Sequence, residues 1–162
     1  MTDKPSPLIE LHDVVKHYHT QAGAFPALKG IDLKVYPGEF LGIIGKSGAG
    51  KSTLLNMITG VDHLTAGKVT VRANGETINL DDLNENELTL WRGRTMGVVY
   101  QSFQLLPMLN LVQNVTMAMD MSGLYHPSKS QERALELLEM VEIREHAFKQ
   151  PSQISGGQQQ RV

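Results

Sequence analysis

The chain has 162 residues, 41% of them hydrophobic, and fifteen basic against seventeen acidic residues for a formal net charge of -2. That length supports one domain with a sizeable core, and the scattered basic residues create no broad field for nucleic acid or an acidic bilayer. The absence of cysteine excludes disulfides, thiolate metal sites and cysteine nucleophiles; no segment approaches the roughly 20 continuous apolar residues that span a bilayer, and the polar, proline-broken start MTDKPSPLIELHD lacks the order of a secretory signal.

Leu8 to Val15 and Ile31 to Val35 alternate like half-buried strands, the second entering the turn Tyr36-Pro37-Gly38-Glu39. The compact apolar run Phe40 to Ile44 predicts a buried strand leading directly into a glycine loop and then a helix that Gly60 closes. A strand at Lys68 to Arg72, a hairpin turn at Asn74-Gly75 and a strand at Thr77 to Leu80 follow. Asn84 and Glu87 have capping-box spacing for a short helix through Arg92, and Met96 to Tyr100 reads as another buried strand. From about Leu109 to Gln150 the periodicity turns helical, with Leu111, Val115 and Ala118 on one apolar face and Ala134, Leu137, Leu138 and Val141 on another.

The glycine loop is Gly45-Lys46-Ser47-Gly48-Ala49-Gly50-Lys51-Ser52-Thr53, which satisfies G-x-x-x-x-G-K-[ST] between an expected strand and helix. Glycines let backbone N-H groups curl around phosphate oxygens, and the following helix turns its N-terminal dipole toward the same charge. Lys51 suits the β- and γ-phosphates, the Ser52 hydroxyl suits magnesium, and Thr53 supports them. Lys46 is either a further phosphate contact or an ordinary surface lysine. This motif alone leaves ATP or GTP, and kinase, switch or motor, open.

The chain ends in Ile154-Ser155-Gly156-Gly157-Gln158-Gln159-Gln160-Arg161-Val162, a helix-opening sequence that alone is equally a simple cap. Together with the phosphate loop it resembles the ATP-binding subunit of an ABC transporter, Ser155-Gly156-Gly157-Gln158 matching that family's signature with Ile154 in place of the usual leucine. The resemblance covers about Leu8 to Val162. The segments LNENELTLWRGR, GVVYQSFQLLP and SGGQQQRV look most like the lipoprotein-release and macrolide-export branch. Tyr100 departs from the usual phenylalanine, and Gln113-Asn114-Val115 from the usual Glu-Asn-Val.

The resemblance implies an α/β P-loop NTPase fold with an antiparallel β subdomain and a helical subdomain. It divides the chain into a nucleotide-binding core over residues 8–100, a glutamine-loop linker over 101–110 and a helical subdomain over 111–157 ending at the signature. It implies ATP and Mg2+ as cofactors, Tyr18 as the ring that stacks on adenine, and Gln101 as a sensor of magnesium and attacking water. The plainer accounts are a half-buried structural tyrosine and a polar strand cap. It further implies a head-to-tail dimer, in which Ser155 donates to a γ-phosphate held by the other copy while Gly156 and Gly157 allow close approach. Gln158 holds loop geometry, and Gln159, Gln160 and Arg161 are solvated helical positions. A membrane-spanning permease partner is implied as well, with Leu105 to Leu109 and the methionines Met117, Met119 and Met121 toward it; the methionines read equally as core filling.

In the family an aspartate-glutamate pair and a later histidine follow the signature helix, and no earlier segment substitutes for them. Asp81, Asp82, Glu85 and Glu87 lie in polar turn or helix contexts that suit capping and solvation. The expectation is therefore a C-terminally incomplete ATPase, with part of its core sheet missing and multiple-turnover hydrolysis absent from these 162 residues. The alternatives are a nucleotide-binding fragment without turnover and a P-loop small-molecule kinase. The expected location is the cytoplasmic face of the cell membrane, through the permease.

Overall fold

The computed structural model of the chain describes residues 6–21, 23–73 and 75–162; the first residues of the leader and Asn74 of the expected hairpin turn lie outside that set. The chain divides into two compact units, one ending at Met96 and the other running from Gly97 to Val162.

The first unit is built on a four-stranded antiparallel sheet of β1 (Ile9–Thr20), β2 (Gly23–Val35), β3 (Ala66–Ala73) and β4 (Glu76–Asn79), in the order β2-β1-β3-β4. This is the antiparallel β subdomain that the alternating segments predict, with longer strands. A register irregularity between Leu11 and Val14 of β1 brings both to one face, with Val69 and Val71 of β3, in a core that also takes Leu28, Met57, Ile58, Leu80, Leu88 and Trp91. Burying each such side chain contributes about 1.5–3 kcal/mol, so one sheet face holds two helices against it. Those helices are α1 (Lys51–Ile58) and α2 (Glu85–Thr95). The turn after β2 closes as predicted, the Glu39 amide donating to the Tyr36 carbonyl at 3.1 Å.

Gly60, at φ 63°, stands just past the end of α1, where the left-handed turn leaves no room for a side chain against Leu88. Arg92 of α2 donates to the Gly60 carbonyl and fastens that end. The start of α2 is the predicted capping box: Asn84 Oδ1 accepts from the Glu87 amide at 3.1 Å and Glu87 Oε2 from the Asn84 amide at 2.9 Å.

Two expected strands do not form. Phe40 to Ile44 and Met96 to Tyr100 pair with no strand among the described residues, and Phe40, Ile44 and Val99 are 98%, 96% and 96% exposed. A parallel strand exists only through hydrogen bonds to neighbours, so an apolar run without an adjacent strand stays unpaired.

The second unit packs α3 (Leu111–Met121) against α4 (Lys129–Met140), followed by two 3-10 turns and α5 (Gly156–Arg161). Leu111, Val112, Ala134, Leu138, Ile143 and Ala147 form its core. The α4 face is as predicted. On α3 the buried face runs through Val112, while Ala118 is exposed, because the packing stripe turns away from the predicted one after the first turn.

Candidate phosphate-binding site

The phosphate loop lies in the first unit, between β2 and α1. Gly48 and Gly50 both have positive φ, at 78° and 84°. At Gly50 a Cβ would stand 2.6 Å from the Ala27 carbonyl oxygen, a contact that backbone cannot yield, so the loop closes onto β2 only with glycine there. Gly50 is also the N-cap of α1 and supplies no side-chain cap, and no acidic residue occupies the first turn. The opening amides of α1 therefore keep their donor capacity for an anion. Lys51 Nζ donates to the carbonyls of Gly45 at 2.9 Å and Lys46 at 2.8 Å, which holds the ammonium over the loop, where it would offset the charge of an anion. A glycine cradle, uncapped helix amides and a centred ammonium suit a polyphosphate. Ser52, in the first turn, is exposed, and its hydroxyl is of the hard-oxygen type that magnesium takes. Lys46, Ser47 and Ala49 complete the exposed side of the loop, where the Ala49 amide donates to the Lys46 carbonyl at 3.2 Å.

Tyr18 belongs to the same unit and is brought to this helix. Its hydroxyl donates to Asp62 Oδ2 at 2.8 Å and also interacts with the Thr53 side chain. Lys16, two residues earlier on the same strand face, donates from Nζ to Asp62 Oδ1 at 2.7 Å and to the His63 carbonyl at 2.5 Å, and stands 4.8 Å from the Tyr18 ring centroid. Burial and the bond to Asp62 raise the phenol above its ordinary value, the Thr53 contact opposing them. Burial alone would raise the Asp62 carboxyl, but hydrogen bonds from Lys16, Tyr18 and the His63 amide outweigh it and hold the group below the usual range. Sequence reading missed Lys16 and Asp62 altogether. The only available signal was a lysine at strand spacing from an aromatic; its partner is 46 residues away.

Gln101, Ser155, Gly156 and Gly157 lie in the second unit. Gln101 is exposed in a bend directly after the unpaired stretch. Ser155 opens α5 with a capping box, Oγ accepting from the Gln158 amide at 3.3 Å and Gln158 Oε1 from the Ser155 amide at 2.9 Å. Ser155, Gly156 and Gly157 are all exposed, and Phe103 Cζ lies 3.8 Å from the place a Cβ on Gly156 would take. The segment after Gln101 is thus in contact with the signature turn. Two terminal positions read as solvated are anchored instead: Gln159 Nε2 donates to the Pro151 carbonyl at 2.8 Å and Arg161 Nη1 to the Val141 carbonyl at 3.1 Å. Their long side chains reach back across the turn to carbonyls that helical spacing does not reveal.

Asn114 is another residue that sequence reading left without a role. Its Oδ1 accepts from the Leu106 amide at 2.8 Å, and its Nδ2 faces the carbonyls of Leu106, Leu109 and Asn110 at 3.0–3.2 Å. It fixes the apolar turn Leu106 to Leu109 onto α3, where Met108 is 69% exposed. On α3 itself Met117 and Met121 face outward, so neither fills the core.

A family profile described as "ABC transporter" matches residues 28–162. The lipoprotein-releasing system ATP-binding protein LolD of Hyphomonas neptunium is 44% identical, over 96% of this chain and 66% of its own length. The macrolide export ATP-binding/permease protein MacB of Marinobacter nauticus is 42% identical, over 98% of this chain and 24% of its own. Among solved structures, a dimeric post-hydrolysis state of the ATP-binding cassette MJ0796, bound to ADP and Pi, superposes with a TM-score of 0.83 at 38% identity, covering 94% of this chain and 66% of that one. The chain therefore spans just under two thirds of the length of the first of these relatives.

Proposed function

From the premise that this chain belongs to the ABC transporter family, we propose that it forms the ATP-binding, energy-coupling part of a transporter, in which ATP closure and hydrolysis drive a membrane partner. The observation that carries the reading is the phosphate loop: an uncapped α1 opening behind Gly50, with the Lys51 ammonium over the loop carbonyls. In this reading Lys51 exchanges two carbonyl partners for phosphate oxygens, Gly45 to Thr53 surround the polyphosphate with backbone donors, and the Ser52 hydroxyl ligates Mg2+; the family resemblance gives Gln101 its magnesium-sensing role. Bound ATP supplies the phosphoanhydride whose cleavage powers the cycle. Tyr18 carries the nucleobase. Ser155, Gly156 and Gly157 meet the γ-phosphate held by a second, head-to-tail ATP-binding subunit.

The partners are that second subunit and a membrane-spanning permease, which receives the apolar turn Leu105 to Leu109. Among the described residues no helix is long and apolar enough to cross a membrane. The reading puts the chain at the cytoplasmic face, attached through the permease. The likeness to LolD and MacB favours lipoprotein extraction or export over uptake. Water activation belongs, in this reading, to residues of the family pattern that follow the signature.

The test is equilibrium binding of a fluorescent ATP analogue with magnesium. A hydrogen bond to a charged group is worth about 1.5–3 kcal/mol, so Lys51→Ala should weaken binding about 10- to 100-fold while the circular dichroism of the helices is retained. Unchanged affinity in that variant removes the proposal.

A further inference from the structure

The nucleobase role given to Tyr18 needs its ring held at a fixed place beside α1, and a side chain on a strand that ends two residues later has little to hold it. The geometry points to Asp62 and Lys16 as positioning residues that fix the Tyr18 ring as a one-sided stacking platform for the base of the bound nucleotide. This inference rests on the reading of Tyr18 proposed above.

Asp62 bridges, with one carboxylate oxygen 2.7 Å from Lys16 Nζ and the other 2.8 Å from the Tyr18 hydroxyl. A tyrosine anchored at its hydroxyl loses the freedom to swing about χ1 and χ2, so the entropic cost of presenting the ring is met before the ligand arrives. Lys16 is 9% exposed and lies over the ring at 4.8 Å, which occupies one face with an ammonium and leaves the other to a planar ligand. The bridge is itself held. The segment after α1 is laced to β1 on either side of it: the Thr65 amide donates to the Val15 carbonyl at 2.8 Å, the His17 amide to Thr65 Oγ1 at 2.9 Å, and Lys16 to the His63 carbonyl. Gly60, two residues before Asp62, is fastened to α2 through Arg92. Because that segment continues directly from α1, whose first residues carry the phosphate loop, the ring is registered against the polyphosphate site through a chain of hydrogen bonds and one short helix.

The experiment compares two ligands of the same chain: MgATP, which uses base and phosphate contacts, and magnesium tripolyphosphate, which uses phosphate contacts alone. Tyr18→Phe removes the anchor and keeps the ring, Asp62→Ala removes the bridge, and Lys16→Met with Asp62→Ala removes it without leaving a buried unpaired ammonium. Each should weaken MgATP about 3- to 10-fold and leave tripolyphosphate affinity unchanged. Tyr18→Phe combined with Asp62→Ala should be no weaker than the weaker single variant, since both cut the same link. If Tyr18→Ala weakens MgATP while Tyr18→Phe and Asp62→Ala do not, the positioning role is overturned and the stacking role stands. If Tyr18→Ala leaves MgATP binding unchanged, the stacking role falls and the positioning role with it. Equal losses for both ligands place Asp62 in the general support of the fold and overturn the inference.

Discussion

The hydroxyl of Ser155 already accepts from the Gln158 amide, yet its own proton remains available to a second acceptor. The cap and the proposed phosphate contact are therefore compatible on one atom, and aspartate separates them. Ser155→Asp keeps an acceptor for the Gln158 amide but sets a negative charge where a phosphate would arrive. Self-association driven by MgATP, followed by light scattering, should be lost in both Ser155→Asp and Ser155→Ala. Retention in the aspartate variant alone would reduce Ser155 to a cap. The same economy marks Lys51, whose ammonium donates to the carbonyls of Gly45 and Lys46 with hydrogens that a phosphate oxygen also accepts.

Among the elements, α3 explains one departure from the family pattern. Gln113, where glutamate is more usual, accepts from the Asn110 amide at 2.9 Å, and Asn110 Oδ1 accepts from the Gln113 amide at 2.8 Å. Glutamine performs the capping task as well as glutamate, so that substitution is physically conservative. Asn110→Ala should cost about 1 kcal/mol of stability by urea denaturation, and a change within error would deny the cap its weight. The capping box of Asn84 with Glu87 was legible because it is local and follows from spacing alone, as do the phosphate loop and the alternation in the antiparallel sheet; the box of Asn110 with Gln113 has the same spacing and went unread. Phe40 to Ile44 and Met96 to Tyr100 were legible as apolar but not as strands, since a strand is a relation to a neighbour. The Lys16 and Asp62 bridge was illegible for the same reason, its two ends being joined only by the fold. Ala118 shows a smaller version, in which periodicity fixes that a helix has an apolar face but not how far the neighbouring helix follows it.

At the scale of the whole molecule, two separate apolar cores stabilise the two units, one under the sheet and one between α3 and α4. Apart from Met96, which packs against the first core, the segments that carry the chain into the phosphate loop and into the Gln101 bend belong to neither core. Their backbones pair with no strand among the described residues, and Phe40, Ile44 and Val99 stand in solvent. A segment with backbone groups unpaired by any strand and a projecting aromatic is one that an endoprotease cleft can take up by strand-like pairing. Brief chymotrypsin digestion should accordingly cut first beside Phe40 and Tyr100, while Trp91, 7% exposed within a helix, survives. Earliest cleavage at Trp91, read by mass spectrometry, would contradict this order. The connections into the glycine loop and into the Gln101 bend are thus also places where the chain is open to cleavage.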